Sequence, residues 1–314
     1  MNVDSRLILQ ILAIAEHGSI SQAAAALNMS QPALSNGIAM LERRLGVRVL
    51  DRSRHGSTLT EHGKAAVRCA SALKARIEGL VEEINVREAG SAGTLRLGVT
   101  PLIGSTFVPL AITELLRQMP CLTLSMREAP DDQLVELLLG GETDLLICPV
   151  GVAPIRSDIT EHSLFTDPFS AVVRKGHPLS RMKQVSVADI IGEGWILPHP
   201  GSAFRRQVEA IFLTCGFSVP TSSVNTNSRA MIERLLLETE RIAIMSDWVI
   251  NGLDAEQFAR VGLLDVGAPR TIGIKQLNNV QLPPPANSLV KLLRQHVRTI
   301  RAPFGSARRA SRQS

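Results

Sequence analysis

The sequence predicts a mixed fold, all-helical at its N-terminus and α/β beyond about residue 93, on three observations. Short helical periodicities punctuated by capping residues fill the first forty-five residues. The stretch from about Glu61 to Glu88 has no proline, and Gly63 and Gly79 are its only glycines. From Thr94 onward, short β-rich runs alternate with helical ones.

At 314 residues the chain has room for two or three domains of about 100–200 residues each. An apolar fraction of 45 % is ample for a core. Only 3 % of residues are aromatic and none is tyrosine, so the core must rest on Leu, Ile, Val and Ala. That scarcity argues against stacking platforms for single-stranded nucleic acid. The formal charge is +5, unevenly spread. Between Asn36 and Arg76 stand nine Lys/Arg against three Asp/Glu, and from Lys291 to the end seven basic residues and no acidic one. Such patches suit a phosphate backbone.

No apolar run is long enough to span a membrane, and the N-terminus lacks the basic-then-apolar order of a signal peptide. The expectation is a cytoplasmic chain with no membrane partner. Cys69, Cys121, Cys148 and Cys215 show no CxxC spacing and no histidines at ligand spacing, so neither metal nor cofactor is expected and the thiols are expected to be buried.

Leu7, Ile8, Ile11, Leu12 and Ala15 share one helical face, ended by Gly18. Ser19-Ile20-Ser21-Gln22 reads as a capping box ahead of a short alanine-rich helix. Asn28-Met29 makes a tight connection, Ser30 caps the next helix and Pro32 sits in its first turn. Leu34, Ile38, Leu41 and Leu45 form its buried stripe, leaving Gln31, Pro32, Ser35, Asn36, Ala39 and Arg43 outward. Two short helices with a polar-faced second one fit a helix-turn-helix over about Ile20–Ala39, a motif that lays its second helix in the major groove. Gly46–Leu50 and Ser57–Thr60 are expected as two strands around Asp51–Gly56, a wing able to reach phosphates or a minor groove.

Residues 18–63 resemble the N-terminal domain of LysR-type transcription regulators almost position for position. The matching elements are the alanine run, Ser30-Gln31-Pro32-Ala33-Leu34-Ser35, Leu41-Glu42, Leu45-Gly46, Arg52, and Leu59-Thr60 followed by Gly63. The resemblance implies that Gln31, Pro32, Ser35 and Asn36 face bases while Arg52 and the wing contact the backbone. Ser21, Ala33, Arg43, Arg54 and His55 complete the candidate DNA-binding set. Asn36 and Gly37 depart from the family, which often carries longer polar side chains there. Glycine inside a helix costs about 1 kcal/mol relative to alanine.

In the proline-free stretch, Ala66, Cys69, Leu73, Ile77, Leu80 and Ile84 recur at spacings of three and four, a narrow seam suited to a two-helix contact. The alternative is packing against the chain's own body. The resemblance favours a dimerisation helix. Glu88-Ala89-Gly90-Ser91-Ala92-Gly93 then reads as a hinge.

Beyond it, strands are expected at Thr94–Val99, Leu122–Arg127, Asp144–Cys148, Phe169–Arg174, Trp195–Leu197, Ser223–Thr226, Ile242–Met245, near Leu263–Val266 and at Thr271–Gln276. Helices are expected over most of Pro101–Met119, over Asp131–Gly140 and Ser202–Cys215, from Ala230, and over Ala286–Arg301. This predicts two lobes of parallel α/β units, whose ligands sit off the carboxyl ends of the strands. Thr100-Pro101, Pro200-Gly201-Ser202 and Asn227-Ser228 follow such ends, each pairing a capping side chain with free helical amides. With Pro149 they are the candidate effector-binding residues, for an organic acid or other anion. Arg127 and Arg229 are further candidates to counter an anion. The half resembles the LysR-type effector domain, with the two-lobed fold of periplasmic solute-binding proteins. The shared features are Gly98-Val99, Glu128, Gly141-Glu142-Thr143-Asp144-Leu145 and His177-Pro178-Leu179. Glu238-Thr239-Glu240-Arg241 departs from it, where the family has small residues.

The expected organisation is a winged helix-turn-helix domain at 1–61, a linker and dimerisation helix at 62–89 and an effector domain at 94–302. Lobe I takes 94–165 and 267–302, lobe II 166–266, and 303–314 is a disordered basic tail. The sequence carries no GxSxG, HExxH, Walker or GxGxxG motif, so an enzyme is not expected. A solute-binding protein without specific DNA readout and a thiol redox-sensing regulator, through Cys215, are the alternatives. The expected partners are double-stranded DNA, a small-molecule effector and a second copy of the chain. The resemblance implies a dimer of dimers, and RNA polymerase is a further candidate partner.

Overall fold

The computed structural model describes residues 4–53, 56–89, 93–152, 156–221, 223–264, 267, 269–278 and 280–301. The expected basic tail at 303–314 lies outside them. The chain divides into two compact units, Met1–Gly93 with Glu136–Thr143, and Thr94–Val135 with Asp144–Ser314.

In the first unit, α1 (Ser5–His17), α2 (Ile20–Ala26) and α3 (Gln31–Leu45) bury Leu7, Ile11, Ile14, Ala23, Ala24, Leu34, Ile38 and Leu41 in one core. Asn28 takes φ 54 in the turn before α3, a left-handed conformation that asparagine tolerates. Ser30 caps α3 by accepting from the Ala33 amide at 3.3 Å. The capping box at Ser19 is only half formed. Ser19 Oγ accepts from the Gln22 amide at 3.2 Å, but the Gln22 side chain pairs with that same hydroxyl, not with the Ser19 amide. Gly37 is buried where α1 passes. A Cβ there would lie 2.0 Å from Gln10 Oε1, so the glycine's helix penalty accompanies a close approach.

The wing begins later than expected. Strands β1 (Leu50–Ser53) and β2 (Gly56–Leu59) pair antiparallel from Leu50↔Leu59 to Ser53↔Gly56, so Asp51 and Arg52 lie in a strand and not in a loop. At the wing's start the Glu42 carboxylate accepts from the amides of Val49 and Leu50 at 2.9 and 3.2 Å and ties the entry to β1 to α3. Helix α4 (Glu61–Ala89) has 29 residues, about 44 Å at 1.5 Å per residue. Gly63 allows its first turn to pass the Val49 carbonyl, 2.0 Å from where a Cβ would sit. Ala66 and Val67 pack on the core of the first three helices. Further along, Ile77, Leu80 and Val81 are 48, 58 and 53 % exposed.

The second unit runs β3 (Thr94–Val99), α5 (Pro101–Gly104), α6 (Val108–Gln118), β4 (Thr123–Glu128), α7 (Asp131–Leu139, counted with the first unit from Glu136 on), β5 (Leu145–Val150) and β6 (Ile159–Asp167). It continues through β7 (Phe169–Arg174), β8 (Gln184–Val185), α8 (Val187–Ile190), β9 (Gly194–Leu197), α9 (Ala203–Thr214), β10 (Ser223–Asn225) and α10 (Arg229–Glu238). It ends with β11 (Arg241–Ser246), α11 (Asp247–Ile250), β12 (Phe258–Leu263), β13 (Arg270–Leu277) and α12 (Pro284–Arg301). Two sheets result, in orders β4-β3-β5-β13-β6 and β10-β9-β11-β7-β12-β8. Each has a parallel core, β4-β3-β5 and β10-β9-β11, but the added strands are largely antiparallel, so the units are not all-parallel as expected. The chain crosses between sheets twice, from β6 to β7 through Pro168 and again between β12 and β13, which makes the two lobes.

Other expectations compare with the structure in three places. The range Pro101–Met119, expected as mostly helix, is helical in α5 and α6, with an interruption at Ser105–Phe107 where the Ser105 and Thr106 hydroxyls donate back to the Leu102 and Ile103 carbonyls. Strand β6 was not expected at all. The strand placed near Leu263–Val266 is found at Phe258–Leu263.

Candidate DNA-binding face and effector cleft

Helix α3 buries Leu34, Ile38 and Leu41 and turns Gln31, Pro32, Ala33, Asn36 and Arg43 to solvent, with Ser35 and Ala39 half-buried. Leu45 is half-buried at the end of the stripe. The Ser21 hydroxyl, on α2, lies 3.1 Å from Gln31 Oε1 and donates to it. That bond fixes the glutamine with its amide NH2 left to meet an acceptor outside the protein. Arg52 has its backbone in β1, while its side chain, Arg54 and His55 lie outside the described residues.

A cleft in the second unit is lined by Thr100, Pro101, Leu102, Ile103, Pro130, Asp131, Pro149, Ser202, Phe204, Asn227 and Arg270. It is open to solvent on one side. Its volume is about 410 Å³, the open mouth included. Thr100, Pro101, Pro149, Ser202 and Asn227 come together here from both lobes. Pro200, Gly201 and Ser228 do not. Pro200 and Gly201 form an exposed turn before α9, and Ser228 is an exposed cap that accepts from the Met231 amide.

The polar groups are more committed than capping alone suggests. Ser202 Oγ accepts from the Arg205 amide at 3.1 Å and donates to the His199 carbonyl at 3.1 Å. Asn227 Oδ1 accepts from the His199 amide at 2.9 Å and joins two loops. Thr100 makes no side-chain cap, and its buried Oγ1 has no hydrogen-bond partner. Asp131 Oδ1 accepts from the Ala203 amide at 2.8 Å, so the first amide of α9 is already occupied by the protein's own carboxylate. Arg270 is 4 % exposed, donates twice to Asp167, and lies 5.0 Å from the Phe204 ring centroid.

Asp131, Phe204 and Arg270 were missed from sequence. Asp131 is the first residue of a helix and Arg270 the first of a strand, and no local pattern marks either as facing a cleft. The arginines that were expected there are elsewhere. Arg127 is exposed on β4. Arg229 donates to Glu233, to the Gly252 carbonyl and, from Nη1 at 3.0 and 3.2 Å, to the Ser105 carbonyl and hydroxyl.

Residues 6–64 match the family described as "Bacterial regulatory helix-turn-helix protein, lysR family", and residues 88–298 match "LysR substrate binding domain". The chain belongs to the LysR family of transcriptional regulators. The "HTH-type transcriptional regulator GbpR" of Rhizobium radiobacter is 30 % identical over 238 residues, 74 % of this chain and 78 % of that one. Among solved structures, a full-length OxyR variant from Pseudomonas aeruginosa superposes with a TM-score of 0.65 at 22 % identity, covering 95 % of both chains. Full-length CbnR in complex with its target DNA gives 0.61 at 21 %, covering 94 % of this chain and all of that one. At those identities the two structures show the shared fold.

This LysR-family regulator thus has a DNA-binding helix-turn-helix head and an effector-binding domain of two α/β lobes. Its relatives are transcriptional regulators. Among the described residues no helix is long and apolar enough to cross a membrane.

The expectation of four buried thiols fails for three of them. Cys69 and Cys121 are exposed, Cys215 is half-buried, and only Cys148 is buried. Burial without solvation pushes the Cys148 thiol up to about 12, which holds it unreactive at neutral pH. No cysteine lines the cleft.

The Glu238–Arg241 departure also lies away from the cleft, at the amino end of β11. There Glu240 pairs with Arg174 and its carbonyl lies 3.3 Å from His177 Nε2, while His177 Nδ1 accepts from the Leu179 amide at 3.1 Å. The charged loop braces the His177-Pro178-Leu179 turn.

Proposed function

We propose that this regulator acts as a two-fold dimer that reads duplex DNA with α3 and changes its grip when a small effector enters the cleft. The supporting observation is the outward face of α3, where Gln31, held by Ser21, stands beside Pro32, Ser35 and Asn36 in the helix's first two turns. Those turns are where a recognition helix meets base edges. Arg43, Arg52, Arg54 and His55 supply backbone contacts.

The uncovered stripe of Ile77, Leu80 and Val81 on α4 takes the same helix of a second copy. A two-fold pair then sets two recognition helices about 34–36 Å apart. Two such dimers share an operator and work with RNA polymerase in the cytoplasm. Thr100, Pro101, Pro149, Ser202 and Asn227 hold an effector bearing an acidic group. Binding biases how the lobes close, and by reciprocity DNA changes effector affinity in turn.

Fluorescence anisotropy on a cognate duplex over a salt series tests the division of labour. Arg52→Ala is expected to weaken all duplexes alike and to lower the salt slope by about one phosphate contact. Ser35→Ala is expected to act on particular base pairs and leave the slope intact. An unchanged slope in the first variant, or a uniform loss in the second, contradicts the assignment.

A further inference from the structure

The charges inside the cleft restrict what it accepts, given that the cleft is the effector site. Arg270 Nε and Nη2 donate to Asp167 Oδ2 at 3.1 and 2.8 Å, and both side chains are almost wholly buried. The guanidinium is therefore neutralised by the protein, and only Nη1 is without a hydrogen-bond partner among the described residues. Asp131 is a second cleft charge, 7 % exposed. It accepts from one backbone amide at 2.8 Å and stands 3.5 Å from Arg206, whose side chain is 51 % exposed. A carboxylate has about four acceptor positions. Two are used here, the second by a long contact that solvent screens.

A simple carboxylate ligand adds another negative charge beside Asp131, where the buried cation is already paired. Buried charge without a partner is costly. An ammonium group on the ligand removes the conflict, because it donates to Asp131 while the ligand's acidic group takes Thr100 Oγ1 and Arg270 Nη1. Thr100 Oγ1 is buried and otherwise unsatisfied. The prolines and Phe204 of the lining leave apolar walls for the remainder. We propose that the effector is a zwitterion of the amino-acid class with a small apolar side chain, and that Asp131 reads its ammonium group.

The test uses the full-length protein and the set of protein amino acids, each beside its deaminated acid and its decarboxylated amine. Thermal shift finds binders and titration calorimetry measures them. The expected result is an apolar amino acid that binds at least about tenfold tighter than either truncated relative, and about tenfold weaker to Asp131→Asn. That variant keeps an oxygen for the Ala203 amide, and its ligand-free unfolding midpoint checks that it is folded. Thr100→Val is expected to weaken the same ligand. A deaminated acid that binds as tightly as its amino acid and ignores Asp131→Asn overturns the ammonium assignment and leaves the cleft standing. A ligand indifferent to both variants overturns the cleft as its site. Absence of any binding amino acid overturns the ligand class.

Discussion

Removing the Glu42 carboxylate takes an acceptor from two backbone amides at once, those of Val49 and Leu50. Both residues are buried, so the amides cannot turn to water. Glu42→Ala is expected to destabilise the chain by about 1–3 kcal/mol per amide left unsatisfied, less any water that enters. Urea unfolding followed by circular dichroism measures it. Wild-type stability in the variant would mean the two bonds carry nothing. Glu42 shows how far single residues were legible. Its place in the Leu41-Glu42 match was read from sequence, while its task was not, because the bond joins a helix to a segment seven residues on. Gly63 is similar, required by the Val49 carbonyl. Asp144, in another matched motif, accepts from the Arg96 amide at 2.7 Å and joins β5 to β3. Asp131 and Arg270 had no motif to announce them, since only tertiary closure brings them to one cleft.

At the scale of elements, α4 divides its apolar residues between two tasks. Ala66 and Val67 pack on the chain's own core, and Ile77, Leu80 and Val81 are left uncovered. The expected seam therefore packs on the chain's own core at its beginning and is uncovered farther along, at Ile77 and Leu80. Cys69 is exposed, and the Ile84 side chain lies outside the described residues. Leu80→Asp is expected to leave folding within about 0.5 kcal/mol, as an exposed position does, and to shift sedimentation from dimer toward monomer. An unaltered oligomer contradicts dimerisation through this stripe. Elements with fully buried strands were legible almost to the residue, as β7 shows. The edge strand β6 was not, because only Phe165 and Asp167 of its nine residues are buried, which dilutes the apolar signal.

The whole molecule joins a DNA-reading head to a two-lobed effector domain, and the sequence carried that architecture by alternation and motif order. It did not carry the antiparallel additions to each sheet or the cleft's internal charge pairing, both of which depend on strands distant in sequence. Specific reading of duplex DNA by a dimer is the central claim, and selection from a random duplex pool with the purified full-length protein at about physiological salt tests it most directly. The account predicts enrichment of a two-fold symmetric site whose half-sites lie about one helical turn, or a small multiple, apart. Only weak, salt-sensitive retention with no enriched motif would contradict it.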